Sequence, residues 1–218
     1  MSTTKIKVYR DLMGENEKWA QATRNFLAEK DLLMLNIIGS PGCGKTKLLE
    51  AVAARFSDRL RFAVLEGDVA TTRDAERLAA ADIPVSQLLT DGACHLEAKL
   101  VNHALIDLPL GGLDVVFVEN VGNLVCPAEF DIGEAAKIAV LSVTEGEDKP
   151  LKYPLLFRES SLVVISKVDL LPHLEFDVNT CVRNVQQINS KAPIIRLSAA
   201  TGEGVDAFVD WVLERKPA

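Results

Sequence analysis

Gly39-Ser40-Pro41-Gly42-Cys43-Gly44-Lys45-Thr46 follows the spacing G-x-x-x-x-G-K-[ST], and this stretch decides how the rest of the chain is read. The apolar run Leu33-Met34-Leu35-Asn36-Ile37-Ile38 precedes it, and Lys47-Leu48-Leu49-Glu50-Ala51-Val52-Ala53-Ala54-Arg55-Phe56 follows with helical periodicity. Strand, glycine loop and helix form the context in which such a loop wraps a polyphosphate. The glycines let successive backbone N–H groups turn inward, and the helix N-terminus adds partial positive charge. Gly39 through Lys47 is therefore the expected phosphate-binding segment, with Lys45 on the outer phosphates and Thr46 on Mg²⁺. The segment predicts a nucleoside triphosphate as ligand.

Outward from this loop, strand-like runs at 33–38, 61–66, 83–89, 113–119, 137–143, 161–166 and 193–197 alternate with helical patterns. The helical patterns fall at 45–57, 72–81, 95–108, 150–158, 177–189 and 204–215. Such alternation means βαβ units, hence an α/β fold of the P-loop NTPase kind: a mostly parallel sheet with helices on both faces. Ligands then gather at the carboxyl ends of the strands. The nearly continuous aliphatic runs at 113–118 and 161–165 predict strands buried on both faces, at the centre of the sheet. Residues 1–10 are polar and read as a frayed end, while Leu12, Trp19, Phe26 and Leu27 give 11–30 the spacing of an amphipathic helix. The expected organisation is an N-terminal segment over 1–30 and one nucleotide-handling domain over 31–218.

Composition narrows the function. The chain has 218 residues, is 48% hydrophobic and 25% charged, and carries a formal net charge of −7. No cluster of Lys and Arg forms a basic stripe, which argues against nucleic acid and anionic membranes as partners. No apolar run approaches a membrane span and no basic-then-apolar leader opens the sequence, so a cytoplasmic location is expected. The four cysteines, Cys43, Cys94, Cys126 and Cys181, are expected as thiols or metal ligands, not disulfides.

Three further segments select the base. Ser166-Lys167-Val168-Asp169 ends the strand at 161–165, where GTPases carry N-K-x-D. A carboxylate at Asp169 can accept both N–H groups of the guanine edge, a contact that adenine does not offer. The stem of Lys167 is expected to lie over the base plane. Ser166 replaces the usual Asn, which predicts a weaker brace for this loop. Ser198-Ala199-Ala200 closes the next strand and completes the expected base pocket through Ser198 and Ala199. Together these predict GTP.

Glu119-Asn120-Val121-Gly122 stands where GTPases place D-x-x-G. Glu119 is expected to hold Mg²⁺ through water, and the Gly122 N–H to meet the γ-phosphate. In Glu66-Gly67-Asp68, Asp68 is the preferred acid for the metal or the attacking water, and Asp74 is second; Asp74 also reads as part of a charged first helical turn. The candidate catalytic set is thus Lys45, Thr46, Asp68, Asp74 and Glu119, with Thr46, Asp68 and Glu119 on Mg²⁺. No residue reads as a dedicated strong base, which fits slow hydrolysis governed by positioning and electrostatics.

Cys94-His95 opens the predicted 95–108 helix, and Cys126-Pro127 lies in the loop after Gly122. A cysteine at a helix N-terminus leans toward the thiolate, and two thiolates with an imidazole suit Zn²⁺ or Ni²⁺. Chemistry alone leaves two readings open, a soft-metal site within one chain or across a two-fold interface, and plain buried thiols.

Several of these segments have a familiar order. Gly39–Thr46, Glu66-Gly67-Asp68, Asp74-Ala75-Glu76-Arg77, Ala93-Cys94-His95-Leu96, Glu119-Asn120-Val121-Gly122-Asn123-Leu124-Val125-Cys126-Pro127 and Ser142–Pro154 closely resemble the HypB family. The resemblance runs from about residue 33 to 213. It implies a dimeric P-loop GTPase of the SIMIBI class that supports nickel insertion during [NiFe]-hydrogenase maturation. By the same resemblance the metal ligands are Cys94, His95 and Cys126, for Ni²⁺ or Zn²⁺, and the partners are a HypA-type nickel-delivery protein and the hydrogenase large-subunit precursor. Lys152, in the Lys-Tyr-Pro segment, is a candidate to touch the nucleotide of the neighbouring subunit. Residues 1–30 contain neither Cys nor His, so the N-terminal nickel motif of some members is not expected here. The competing readings are a urease-accessory nickel GTPase, whose motif is Cys-Pro-His where this chain has Cys126-Pro127-Ala128, and a metal-storage protein with a weakly active nucleotide site.

Overall fold

The computed structural model describes residues 12–90 and 92–217. The expectation for residues 1–10 lies outside these, as do the side chain of Leu12 and residue Asp91 of the turn before Cys94. In chain order the elements are α1 (Leu12–Glu29), β1 (Leu33–Gly39), α2 (Lys45–Phe56), β2 (Phe62–Asp68), α3 (Arg73–Ala80), β3 (Val85–Leu89) and α4 (Ala98–Asp107). There follow β4 (Val115–Glu119), α5 (Cys126–Glu129), β5 (Ala136–Ser142), α6 (Lys149–Lys152), α7 (Pro154–Glu159) and β6 (Ser160–Ser166). A 3₁₀ turn over Val168–His173, then α8 (Val178–Ile188), β7 (Ile194–Arg196) and α9 (Val205–Leu213) complete the chain.

All strand pairs are parallel, and the seven strands run in the order β3-β2-β4-β1-β5-β6-β7. Alternate side chains of the strands feed opposite cores. Leu33, Leu35 and Ile37 of β1, Phe62 and Val64 of β2, and Val115 and Phe117 of β4 pack with Leu48, Leu49 and Val52 of α2 and with Phe208, Val209 and Val212 of α9. On the other face, Met34, Leu65, Val116 and Val118 meet Val101 and Leu105 of α4 and Leu27 of α1. Ile38, Leu141, Val163 and Ile165 continue that face against Leu156 and Phe157 of α7 and Cys181 and Val185 of α8. Burying the strands on both sides explains their aliphatic runs.

The fold class is as expected, with four differences of detail. The sheet is wholly parallel. The run at 161–165 forms β6, which is next to the edge strand β7 and not central; it is buried because helices cover both its faces. The helix expected at 150–158 is two short helices broken at Tyr153, because Pro154 lacks an N–H and pushes the residue before it out of helical geometry (φ −126, ψ 55). The helix expected from 95 begins at Ala98, with Glu97 extended (φ −88, ψ 146) and the Ala98 N–H donating to Asn16 Oδ1 of α1 at 2.9 Å.

That last contact shows how α1 docks. Among its described side chains, Ala20, Thr23 and Leu27 are buried. Asn102 Nδ2 of α4 donates to Thr23 Oγ1 at 3.1 Å, and Trp19 meets the His103 ring edge-on at 5.1 Å. Arg24 pairs with Asp131 at 2.7 Å. The helix is held by polar fasteners as much as by the apolar stripe that its spacing suggested. Among the described residues no helix is long and apolar enough to cross a membrane.

Candidate functional site

The carboxyl ends of β1, β2 and β4 converge on a cleft of about 510 Å³, lined by Pro41, Gly42 and Gly44 of the loop and 45–47 of α2, together with Glu66, Asp68, Asp74, Arg77, Glu119, Asn120, Gly122 and Lys167. The loop between β1 and α2 enters it with Gly42 and Gly44 at φ 73 and 100, backbone that side chains other than hydrogen rarely adopt. A glycine turn of this kind ahead of a helix N-terminus is the arrangement that binds anions.

Three charged groups of the cleft, Lys45, Glu66 and Glu119, are buried. Lys45 donates to the Gly39 carbonyl at 3.3 Å, and the Thr46 hydroxyl donates to Glu119 Oε1 at 2.8 Å. Glu119 Oε2 and Glu66 Oε2 are buried with no hydrogen-bond partner. Burial pushes the Glu119 carboxyl up to about 7, opposed by Lys45 and the Thr46 hydrogen bond. Burial, then repulsion from Glu119, Asp68 and Asp74, pushes Glu66 up to about 8. Two orphaned acceptors beside a threonine hydroxyl suit a hard, oxygen-loving divalent cation, whose charge would expel their protons. The donor set fits Mg²⁺.

The two aspartates are engaged elsewhere. Asp68 pays out its carboxylate to the Val69 and Thr71 N–H groups at 2.6 and 3.0 Å and to the Thr71 hydroxyl. Against burial, which raises it, these bonds hold its pKa below the usual value. Asp74 pairs with Arg77 at 2.7 Å, and Arg77 also holds Glu50 at 2.8 Å. Both aspartates line the cleft, but the free buried carboxylate next to Glu119 belongs to Glu66. Glu66 is not among the candidates that the sequence selects; its place opposite Glu119 on the neighbouring strand, which only the fold creates, marks it out.

A pH dependence follows from the raised values. Between pH 4.5 and about 8 an unfolded chain has released the Glu66 proton while the folded chain still holds it. The folded state therefore binds more protons, and stability falls as pH rises through this window. In nucleotide-free, Mg²⁺-free protein, the urea midpoint is expected to drop between pH 5 and 8, and Glu66→Gln should visibly flatten the drop. Parallel pH profiles for the two proteins would remove Glu66 as the proton carrier.

On the base side, Ser166 Oγ donates to the Cys43 carbonyl at 2.6 Å. The expected weak brace is thus a short, buried bond. Lys167, at φ 61, donates to the Gly42 carbonyl at 2.6 Å. Asp169 Oδ1 is buried without a partner. The Val168 N–H donates to the Leu197 carbonyl at 3.3 Å, tying this segment to the loop of Ser198 and Ala199. Cys43 is 1% exposed, its thiol pushed up to about 11 by burial, and Cys181 is likewise buried in the core. Lys152 is not among the cleft residues; it is exposed and pairs with Asp148 at 2.6 Å.

The loop leaving Glu119 joins this cleft to a second cluster. A Cβ on Gly122 would lie 2.6 Å from Cγ of Pro41, so the two loops touch with room for hydrogen only. Four residues on, Cys126 brings its Sγ to 2.7 Å from that of Cys94, and His95 Nδ1 lies 3.7 Å from the Cys94 sulfur. The three ligand atoms all fall within 4.8 Å of one another in one chain. Two thiolates at ~2.3 Å from one tetrahedral ion sit roughly 3.8 Å apart, so the pair need open by about an ångström. His95 stacks on Phe130 at 3.7 Å, and burial, opposed by Glu97, lowers its pKa and keeps a nitrogen lone pair available.

One expectation about this cluster is corrected. Cys94 lies outside α4, which begins at Ala98, so no helix N-terminus favours its thiolate. The hydrogen bond shared with Cys126 raises its pKa instead. Deprotonation is left to the ion itself.

Comparison with known proteins agrees with this geometry. A family model described as CobW/HypB/UreG, nucleotide-binding domain, matches residues 33–196. The hydrogenase maturation factor HypB of Escherichia coli (strain K12) is 46% identical over 207 residues, covering 95% of this chain and 71% of that protein. The crystal structure of HypB from Helicobacter pylori in complex with nickel superposes with a TM-score of 0.89 at 38% identity, covering 93% of this chain and 95% of that one. HypB from Archaeoglobus fulgidus gives 0.84 at 35%, over 91% and 97%.

Proposed function

Because the chain belongs to the CobW/HypB/UreG nucleotide-binding family, among its HypB hydrogenase maturation factors, we propose that it is a GTP-hydrolysing metallochaperone supporting nickel insertion into [NiFe]-hydrogenase. The observation that carries this reading is the single loop from Glu119 to Cys126. Its first residue accepts from Thr46, its glycine abuts Pro41, and its last residue belongs to the thiol cluster. Nucleotide and metal therefore act on one short segment of backbone.

The chemistry assigned to each residue follows from its surroundings. Backbone N–H groups of residues 42–47 and the Lys45 ammonium cradle the phosphates, and Lys45 neutralises charge that grows toward the leaving group. Mg²⁺, held by Thr46 and Glu119 with Asp68 nearby, supplies charge neutralisation on the phosphates when bound. Glu66, with an unpartnered oxygen beside Glu119 in the cleft, is suited to orient the attacking water, and Asp74 keeps Arg77 at the rim. Asp169 and Lys167 read guanine, with Ser198 and Ala199 closing the base pocket. Cys94, His95 and Cys126 take Ni²⁺, or Zn²⁺ in its place, as cargo.

In this reading the nucleotide domain spans 31–218, with 1–30 an attached segment. GTP orders the 119–126 loop around its γ-phosphate and favours a homodimer, in which Lys152 leaves Asp148 to reach the partner's nucleotide. Hydrolysis relaxes the loop and alters metal affinity. A HypA-type nickel donor and the hydrogenase large-subunit precursor are the proposed partners.

The test is calorimetric titration of Ni²⁺ into GDP-bound and GTP-analogue-bound protein, with light scattering to follow assembly. A difference of about tenfold, or ~1.4 kcal/mol, is expected, and linkage requires metal to shift nucleotide preference equally. The Cys94→Ser/Cys126→Ser double variant should lose binding while Cys181→Ser keeps it. Identical affinities in the two nucleotide states would reject the release switch.

A further inference from the structure

Asn123 is used by neither site, yet its side chain spans the gap between the two loops that bear the thiols. Its Nδ2 donates to the Cys94 carbonyl at 2.9 Å, and its Oδ1 accepts from the Val125 N–H at 3.0 Å. One end therefore shapes the turn leading into Cys126, and the other holds the backbone of Cys94, 29 positions earlier. The thiol pair, the Cys94–His95 contact and the His95–Phe130 stack are, by contrast, each made by a ligand's own side chain. Those contacts must rearrange when an ion enters. The Asn123 tie need not.

We propose that Asn123 is a positioning residue for the metal cargo, its amide holding Cys94 at the spacing from Cys126 that one divalent ion requires. The inference rests on the reading of Cys94, His95 and Cys126 as the cargo site, and adds the residue that assembles it. Groups that orient metal ligands without touching the ion commonly change affinity 10–100-fold when removed. Asn123 directly follows Gly122, whose backbone presses on Pro41 of the phosphate loop. A shift of the Gly122 segment is thus delivered to both thiols: to Cys126 along the chain, and to Cys94 through the amide. Without the tie, only Cys126 would move.

The experiment titrates NiCl₂, against a chromophoric competitor, into reduced full-length wild type, Asn123→Ala and Asn123→Asp. Thiolate-to-nickel charge-transfer absorption is recorded alongside affinity, and GDP binding serves as the control. Asp retains an acceptor for the Val125 N–H but has no donor for the Cys94 carbonyl. Both variants are expected to bind Ni²⁺ about 10–100-fold more weakly, with a reduced charge-transfer band and unchanged GDP affinity. Wild-type affinity and spectrum in both variants, or a loss in Ala that Asp restores, would overturn the tie. A wild type that binds Ni²⁺ with no thiolate signature would sink the cargo-site reading, and this inference with it.

Discussion

Lys45→Ala is expected to lower GTP turnover on the order of 100–1,000-fold or more, the range seen when one preorganised charge-stabilising donor is removed. Lys45 is 7% exposed, donates to the Gly39 carbonyl, and acts through space on the buried carboxyls of Glu119 and Glu66. It is held before substrate arrives, so its charge costs little reorganisation when the β–γ bond breaks. Its loss has a second consequence inside the cleft. Lys45 lowers the pKa of both glutamates, so the variant should hold their protons to higher pH and bind Mg²⁺ more weakly. Phosphate release at saturating Mg²⁺·GTP is the measurement, with far-UV circular dichroism to establish that the variant folds. Thr46→Ala should instead raise the Mg²⁺ concentration needed for half-maximal rate. Near-normal turnover in Lys45→Ala would show that another site performs the hydrolysis.

The second large effect concerns the base. Asp169 keeps one carboxylate oxygen buried and unpartnered, at the end of a segment fixed by Ser166 on Cys43 and Lys167 on Gly42. A buried acceptor with no internal partner is costly unless a ligand satisfies it. Two charge-assisted bonds to guanine at ~1.5–3 kcal/mol each imply that losing both weakens GTP binding on the order of 10²–10⁴-fold. Asp169→Asn should do so and shift preference toward xanthine nucleotides, whose edge presents an oxygen where guanine presents an amine. Fluorescent-nucleotide titration of GTP, ATP and xanthosine triphosphate reads the change. Equal affinity of the wild type for ATP and GTP would end the guanine assignment.

Much of this was legible in the sequence because the features are local. The phosphate loop is contiguous from Gly39 to Thr46, and its strand and helix follow from periodicity in the flanking residues. The choice between Glu66 and Asp68 was not legible. Both lie on β2 two residues apart, and what distinguishes them is a loop: Thr71 folds back onto Asp68, while Glu66 faces Glu119 on the adjacent strand. The start of α4 was missed for a similar reason, since Asn16 of a distant helix supplies the acceptor for the Ala98 N–H. The break in the helix expected at 150–158 differs in kind: Pro154 carries its cause in its own covalent structure, although the expectation of one helix passed over it.

The sequence by itself determined the fold class, the phosphate loop and the residue types at every chemical position. Each of these is written in neighbouring residues or in a repeating period, and backbone sterics and burial turn such patterns into structure without reference to distant parts of the chain. Only the tertiary structure decided which of those residues meet. Cys94 and Cys126 stand 32 positions apart, in the segments that leave β3 and β4, and the parallel order β3-β2-β4 brings those segments out at one end of the sheet. That adjacency gathers the two thiols and His95 within a single chain, and it lets Asn123 reach the Cys94 carbonyl. The physical reason is that strand order is set by how buried faces pack across the whole sheet, a property that no single segment encodes.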